Sequence, residues 1–387
     1  MSALTVLSAH NFYREPGGED AVFAAEIELL RAHGHAVTVY ERSNHNIRSG
    51  GAAAFEAIWS RSSHRDVRSL AGAGIAHFHN TFPLISPSAY YAAASQGSAV
   101  VQTLHNYRLI CPGALLSRNG APCEECLTQN SLRPALSHSC YRDSRAATAG
   151  VAAMLTTHRA AGTYQRAVDA YIALSEFART KFVAGGLPAN RIFVKPNFVP
   201  DDPGTGAGSG HYALFAGRLS PEKGVATLTS AWNALPDVPL KVLGDGPLNQ
   251  TSWPSSVTAF GAVTRQRVLE QMRNATALVF PSTCYENAPM SILEAFSCGT
   301  PVITSNLGSM AELVRDGYNG LLFRPGDPAD LAAKVRYAFD NPEHLATMRA
   351  NARREFEEKY TADRNYKMLI AIYEQAIETR SRLRRAS

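Results

Sequence analysis

Four charged residues of the C-terminal half have the types and spacing for chemistry: Arg218, Lys223, Glu286 and Glu294. Arg218 and Lys223 lie in Phe215-Ala-Gly-Arg-Leu-Ser-Pro-Glu-Lys-Gly224, where a short apolar strand gives way to a helix. A guanidinium offers a fork and an ammonium a point charge, so the two together suit a diphosphate approached from two sides. Gly217 and Gly224 let backbone come close. Glu286 and Glu294 flank a loop and helix in FPSTCYENAPMSILEAFSCGTPVI. An ionised carboxylate is acceptor-only, and each can take two vicinal hydroxyls. A ligand with a diphosphate and two polyol groups, a sugar nucleotide, fits this set. Taken singly, each pair is also what a solvated helix face or surface loop carries.

Positioning such groups needs strand ends. After Val279-Phe280-Pro281, Pro289 suits the first helical position and Gly299-Thr300-Pro301 ends the helix. The N–H groups of Asn287, Ala288, Pro289's neighbours and Met290 then lie at a helix N-terminus, where anions bind. Short apolar runs recur along the chain at Leu4 to Ser8, Ala36 to Tyr40, Ile75 to Phe78, Ala99 to Thr103, Ala170 to Leu174 and Ile192 to Val194. A second series comprises Tyr212 to Ala216, Leu240 to Leu243, Val257 to Phe260, Thr276 to Phe280, Pro301 to Thr304 and Gly320 to Phe323. Amphipathic segments separate the runs, which predicts two doubly wound parallel α/β sheets. In such folds ligands bind beyond the carboxyl ends of strands, and two facing domains make a cleft. Residues 197–211, rich in Gly, Pro and Ser, read as the linker between an N-terminal domain, 1–196, and a C-terminal domain, 212–362. Residues 363–387 read as a helix whose stripe of Tyr366, Leu369, Ile370, Tyr373 and Ile377 packs back on the protein. Its end, Arg380, Arg382, Arg384 and Arg385, could also touch anionic lipid.

The N-terminal domain offers three further candidates. Pro16-Gly17-Gly18-Glu19 places two glycines at the start of a helix, an anion site or a plain helix start. His105, just after the strand Ala99 to Thr103, is placed for a sugar hydroxyl, although a lone histidine is as readily a satisfied core residue. Cys111, Cys123, Cys126 and Cys140 fall in an insert at about 108–142. A CxxC flanked by two more thiols fits a closed structural zinc site, with reduced cysteines packed in a loop as the alternative.

At 387 residues the chain exceeds one core, so two domains are expected. Residues 1–200 hold 18 Lys and Arg against 13 Asp and Glu, so the formal charge of +5 belongs to the first half. An anionic membrane surface or lipid phosphate is a candidate partner there, and nothing points to nucleic acid. The start MSALTVLSAH lacks a basic segment, and no apolar run approaches a membrane span, so a cytoplasmic protein with at most peripheral membrane contact is expected. No Asp-x-Asp follows a strand, which leaves charge neutralisation to Arg218, Lys223 and helix N-termini rather than a catalytic metal.

With GRLSPEKG, LGDGP, FPSTCYENAPMSILEAFSCGTPVI and GSMAELVRDGYNGLLF in this order, the chain resembles the family 4 glycosyltransferases of GT-B architecture. The resemblance implies a retaining, metal-independent hexosyl transfer from a nucleoside diphosphate sugar to a saccharide or lipid-linked acceptor. It assigns Arg218 and Lys223 to the donor diphosphate, Glu286 to donor-sugar hydroxyls, Glu294 to the ribose, Gly17 and Gly18 to the diphosphate, and His105 to the donor sugar. Many members have Glu-Gly where Asn287-Ala288 follows Glu286 here. The segment LHNYRLICPGALLSRNGAPCEEC is similar to a subgroup that builds bacterial surface polysaccharides. A nucleotide-sugar epimerase of the same architecture and a non-catalytic binding subunit are the alternatives.

Overall fold

A computed structural model describes residues 3–15, 17–47, 50–72 and 74–386. They form two compact units: Met1–Leu116, Glu124–Pro196 and Asn365–Ser387 in one, Ser117–Cys123 and Asn197–Arg364 in the other.

In the first unit the strands are β1 (Thr5–Phe12), β2 (Ala36–Ser43), β3 (Ile75–Asn80), β4 (Ala99–Thr103), β7 (Ala170–Ala173) and β8 (Ile192–Val194), while β5 (Ser117–Arg118) and β6 (Ala121–Pro122) form a two-stranded antiparallel hairpin in the Ser117–Cys123 segment of the other unit. The six long-range strands run parallel in the order β2-β1-β3-β4-β7-β8. Val6, Leu7, Ile75, Val100, Val101 and Ile172 are fully enclosed, as a sheet covered on both faces requires. The first strand runs four residues beyond the apolar signal, because its ladder with β2 continues to Phe12 opposite Ser43 while His10 and Asn11 are buried polar residues.

The C-terminal helix Ala362–Ala386 belongs to this unit from Asn365 onward. Leu369, Ile370, Tyr373 and Ala376 are buried. Arg380 pairs at 2.8 Å with Asp169, whose other contact caps the Val100 N–H at 2.7 Å. Arg382 pairs at 3.0 Å with Glu378. Arg385 Nε donates to the Ser381 carbonyl at 3.3 Å.

The second unit repeats the pattern. Its strands β9 (Ala213–Ala216), β10 (Leu240–Leu243), β11 (Val257–Ala259), β12 (Ala277–Phe280), β13 (Val302–Ser305) and β14 (Gly320–Phe323) run parallel in the order β11-β10-β9-β12-β13-β14. Two apolar layers cover the sheet. One gathers Leu214, Leu278, Ile292, Phe296 and Phe356, the other Phe215, Leu228, Trp232, Val279 and Leu331. Because β9 lies beside β12, pairing Ala213 with Ala277 and Leu214 with Leu278, the loops after these strands emerge side by side. Among the described residues no helix is long and apolar enough to cross a membrane.

Candidate functional site

The loops after β9 and β12 are docked by backbone. Gly224 sits at φ +73°, and a Cβ there would lie 1.9 Å from the Pro281 carbonyl oxygen. Glycine is therefore required for the turn Pro221–Lys223 to lie against the β12 end. The Glu222 carbonyl takes the Thr283 N–H and the Ser282 hydroxyl, each at 2.9 Å. At Gly217 a built Cβ would meet only the Phe215 ring, at 3.7 Å. The pressed residue is Gly244, whose Cβ would stand 1.8 Å from the Gly217 carbonyl oxygen.

This docking carries Lys223 to Glu286. Lys223 Nζ and Ser282 Oγ both donate to Glu286 Oε1 at 2.7 Å. The Glu286 backbone carbonyl accepts from Ser309 Oγ. Burial works against the Lys223 charge, but the Glu286 carboxylate outweighs it and raises the ammonium above its ordinary range. Arg218, exposed, follows the same strand end. Burial and then the Glu286 charge push the adjacent Cys284 thiol up to about 12, so it stays protonated.

The helix after Glu286 spans Met290–Ser297. Pro289 is its N-cap rather than its first residue, because its φ of −67° is helical but its ψ of 119° is extended. Asn287 and Ala288 are buried, and the Ala288 carbonyl accepts from Asn197 Nδ2 at 3.0 Å. Ser291 Oγ donates to the Ala216 carbonyl at 3.1 Å, tying the helix start to β9. Glu294 is largely enclosed, and Arg265 Nε donates to its Oε1 at 2.8 Å. Burial raises the Glu294 carboxyl, and the Arg265 guanidinium opposes that rise. Arg265, Ser282 and Ser309 were not legible as site residues. Only Ser282, four positions before Glu286, carried a local signal.

In the first unit, Gly17 caps the helix Gly18–Ala32, and Pro16 lies outside the described residues. Gly17 is extended, has nothing within 4 Å of a built Cβ, and gives its N–H to Asp20 Oδ2 at 2.8 Å. Glu19 and Asp20 thus already stand at the positive end of this helix. Burial, then the Asp20 charge, raises the Glu19 carboxyl to about 7. His105 Nε2 lies 3.0 Å from His79 Nδ1. Burial first, then the nearby His10, His77 and Lys195, hold His105 well below the usual imidazole range.

The four insert cysteines are free thiols, each half-buried. Among the described residues the groups that bring three ligand atoms within 4.8 Å of one another are Glu26-His77-His79 and His10-Glu19-Asp20, neither of which includes a cysteine. A tetrahedral site with metal–sulfur bonds of about 2.3 Å needs sulfurs closer than that.

Residues 207–355 match the family described as glycosyl transferases group 1. The chain is 31% identical over 193 residues to an uncharacterized glycosyltransferase of Methanocaldococcus jannaschii, covering 48% of this chain and 54% of that protein. It is 36% identical over 156 residues to the glycogen synthase of Mycobacterium tuberculosis, with 37% of each chain covered. The chain spans about half or less of these relatives. Among solved structures it is similar to Anabaena HepE in complex with UDP and glucose, at TM-score 0.65 and 18% identity over 98% of this chain and 99% of that one. It is also similar to the sucrose-phosphate synthase of Thermosynechococcus elongatus, at TM-score 0.69 and 16% identity over 99% and 100%. The two parallel-sheet α/β units are those of the GT-B fold.

Proposed function

We propose that the chain is a retaining glycosyltransferase of family 4 type, moving a hexose from a nucleoside diphosphate sugar to a saccharide or lipid-linked acceptor in surface polysaccharide synthesis. The observation that carries this reading is the Lys223–Glu286 contact at 2.7 Å, formed by two strand-end loops inside the segment matching group 1 glycosyl transferases. A cation for phosphate and an acceptor for sugar hydroxyls, held side by side, match the two ends of a glycosyl-diphosphate bond. HepE, a structural neighbour, holds UDP and glucose, which makes UDP-glucose the first donor to test.

In this mechanism Arg218 and Lys223 stabilise negative charge that grows on the departing diphosphate, so their help is greatest in the transition state. Glu286 holds donor-sugar hydroxyls, and Glu294, with Arg265 behind it, holds the ribose. His105 takes a sugar hydroxyl, and Gly17 and Gly18 approach the diphosphate. The acceptor hydroxyl attacks the anomeric carbon on the face from which the diphosphate leaves, and a leaving phosphate oxygen takes its proton. No residue of the chain forms a covalent bond in this scheme, and none of the assigned roles calls for a metal. The basic excess of residues 1–200 supports a lipid-linked acceptor reached at a membrane surface.

Thermal-shift screening with nucleoside diphosphates and their sugars, followed by transfer assays with saccharide acceptors, tests the proposal. Stabilisation by a nucleoside diphosphate and acceptor-dependent product with retained configuration are the expected results. A new sugar nucleotide formed without acceptor would replace it with epimerisation, and no stabilisation by any of these ligands would remove it.

A further inference from the structure

Behind His105 the first unit encloses a run of polar side chains with no place in the scheme above. His79 stacks on His105 with ring centroids 5.2 Å apart, its Nδ1 3.0 Å from His105 Nε2. On the other side of the ring, His79 Nε2 lies 3.2 Å from Glu26 Oε2. Glu26 Oε1 accepts from Lys195 Nζ at 2.5 Å, and Lys195 also reaches Asn365 Oδ1 at 3.1 Å. His77 is hydrogen-bonded to Tyr373 at 2.9 Å and to Thr103 at 2.7 Å. Glu26, His77, His79, Lys195 and Asn365 are each at most 2% exposed.

Glu26, His77 and His79 also place three ligand atoms within 4.8 Å. A divalent cation there would share the Glu26 carboxylate with the Lys195 ammonium and displace Tyr373 from His77 Nδ1, so the array is better understood through its protons.

A carboxylate is acceptor-only, and two bare lone pairs facing each other at 3.2 Å repel. Neither Glu26 Oε2 nor His79 Nε2 has a hydrogen-bond partner among the described groups, so their 3.2 Å approach is a charge contact and not a hydrogen bond. With the Lys195 ammonium keeping Glu26 a carboxylate, its negative charge 3.2 Å from His79 Nε2 favours an N–H there over a lone pair. A neutral imidazole has one N–H, so His79 Nδ1 is then an acceptor and His105 Nε2 must be the donor to it.

We propose that Glu26 and His79 are positioning residues that lock His105 in its Nε2–H tautomer, leaving Nδ1 to accept a hydrogen bond from a donor-sugar hydroxyl. The sugar in that sentence rests on the proposed function; the tautomer does not. Burial, reinforced by the crowding of ionisable rings and the Lys195 ammonium, disfavours a charged ring at both His79 and His105, consistent with single N–H groups.

Histidine-selective nitrogen-15 labelling of the full chain and two-bond proton–nitrogen correlation spectra report which nitrogen of His105 carries hydrogen. The expected result near neutral pH is hydrogen on Nε2 alone. Hydrogen on Nδ1, or on both nitrogens, overturns the proposal. Glu26→Gln strands Lys195 and risks misfolding, so the functional arm uses His79. His79→Leu removes the acceptor and should lower kcat/KM about tenfold, the scale of one hydrogen bond, whereas His79→Gln, whose carbonyl can accept, should restore most of it. Equal losses in folded Leu and Gln variants would also overturn the proposal. The ring signals are read without substrate, so they bear on the tautomer alone, while absence of glycosyl transfer bears on the catalytic reading alone.

Discussion

Lys223 and Glu286 are each other's counter-ion at 2.7 Å, although 63 positions separate them in sequence. The pair is positioned by the glycine turn at 224 and the strand end at Pro281, so its geometry is a property of two docked loops rather than of either segment.

Lys223→Ala is expected to lower turnover at saturating donor by about 10² to 10³, the scale for losing one preorganised charge-stabilising group. Steady-state kinetics check this, and an unchanged rate would remove Lys223 from the reaction. The fold's interest in the pair is separate. The raised Lys223 ammonium contributes stability that is fully present below its ordinary value of 10.5 and is lost only as pH rises through the higher folded value. The stability cost of Lys223→Ala should therefore be constant across neutral pH and shrink only in strong alkali, as measured by thermal melts.

Arg265→Ala should weaken donor binding several-fold, seen as a raised donor KM with kcat little changed, because it removes the partner that orients Glu294. The guanidinium is 43% exposed, so the pair itself contributes only about 0.2–1 kcal/mol to folding. Parallel melts should show almost no shift.

Two glycine substitutions should part company. Gly224→Ala places a methyl group 1.9 Å from the Pro281 oxygen at a left-handed backbone position, and should destabilise the protein by about 2–3 kcal/mol or more. Gly17→Ala, in extended backbone with nothing within 4 Å, should leave denaturation unchanged. Any loss it causes in nucleotide binding then reports on the ligand.

Glu19 gives a pH signature. Its carboxyl is raised from 4.5 to about 7, so the folded state holds the proton more tightly than the unfolded chain. Between those values the folded state binds more protons, and stability falls as pH rises. Glu19→Gln should therefore match the wild type below about pH 4.5 and become progressively more stable than it up to about pH 7. Melts at several pH values test this, and a difference independent of pH would contradict it.

Elemental analysis of reduced, freshly purified protein tests the structural zinc expected of Cys111, Cys123, Cys126 and Cys140, and absence of stoichiometric metal would remove it. Zinc bound in proportion to protein would support it.

Much of the fold was legible because a strand enclosed on both faces must be apolar along its length. The ranges Ala99–Thr103, Ile192–Val194, Leu240–Leu243 and Gly320–Phe323 coincide with the runs of apolar and β-branched residues. The runs fail where a buried strand carries polar groups. His10 and Asn11 continue β1, and His77 and His79 line β3, each hydrogen-bonded to a partner that no local pattern announces.

The amino-acid sequence by itself determined two doubly wound sheets and the strand-end placement of Arg218, Lys223, Glu286 and His105, with Glu294 in the helix that follows, because periodicity and turn chemistry act over a few residues. Tertiary structure alone decided who meets whom: Lys223 with Glu286, Arg265 with Glu294, and Lys195 with Glu26 across 169 positions. It also decided which backbones press together, Gly224 on Pro281 and Gly244 on Gly217. The physical reason is range. Helix and strand preferences are set by near neighbours, whereas hydrogen bonds and ion pairs between buried groups are set by the path of the whole chain and by the desolvation that makes an unpaired partner costly.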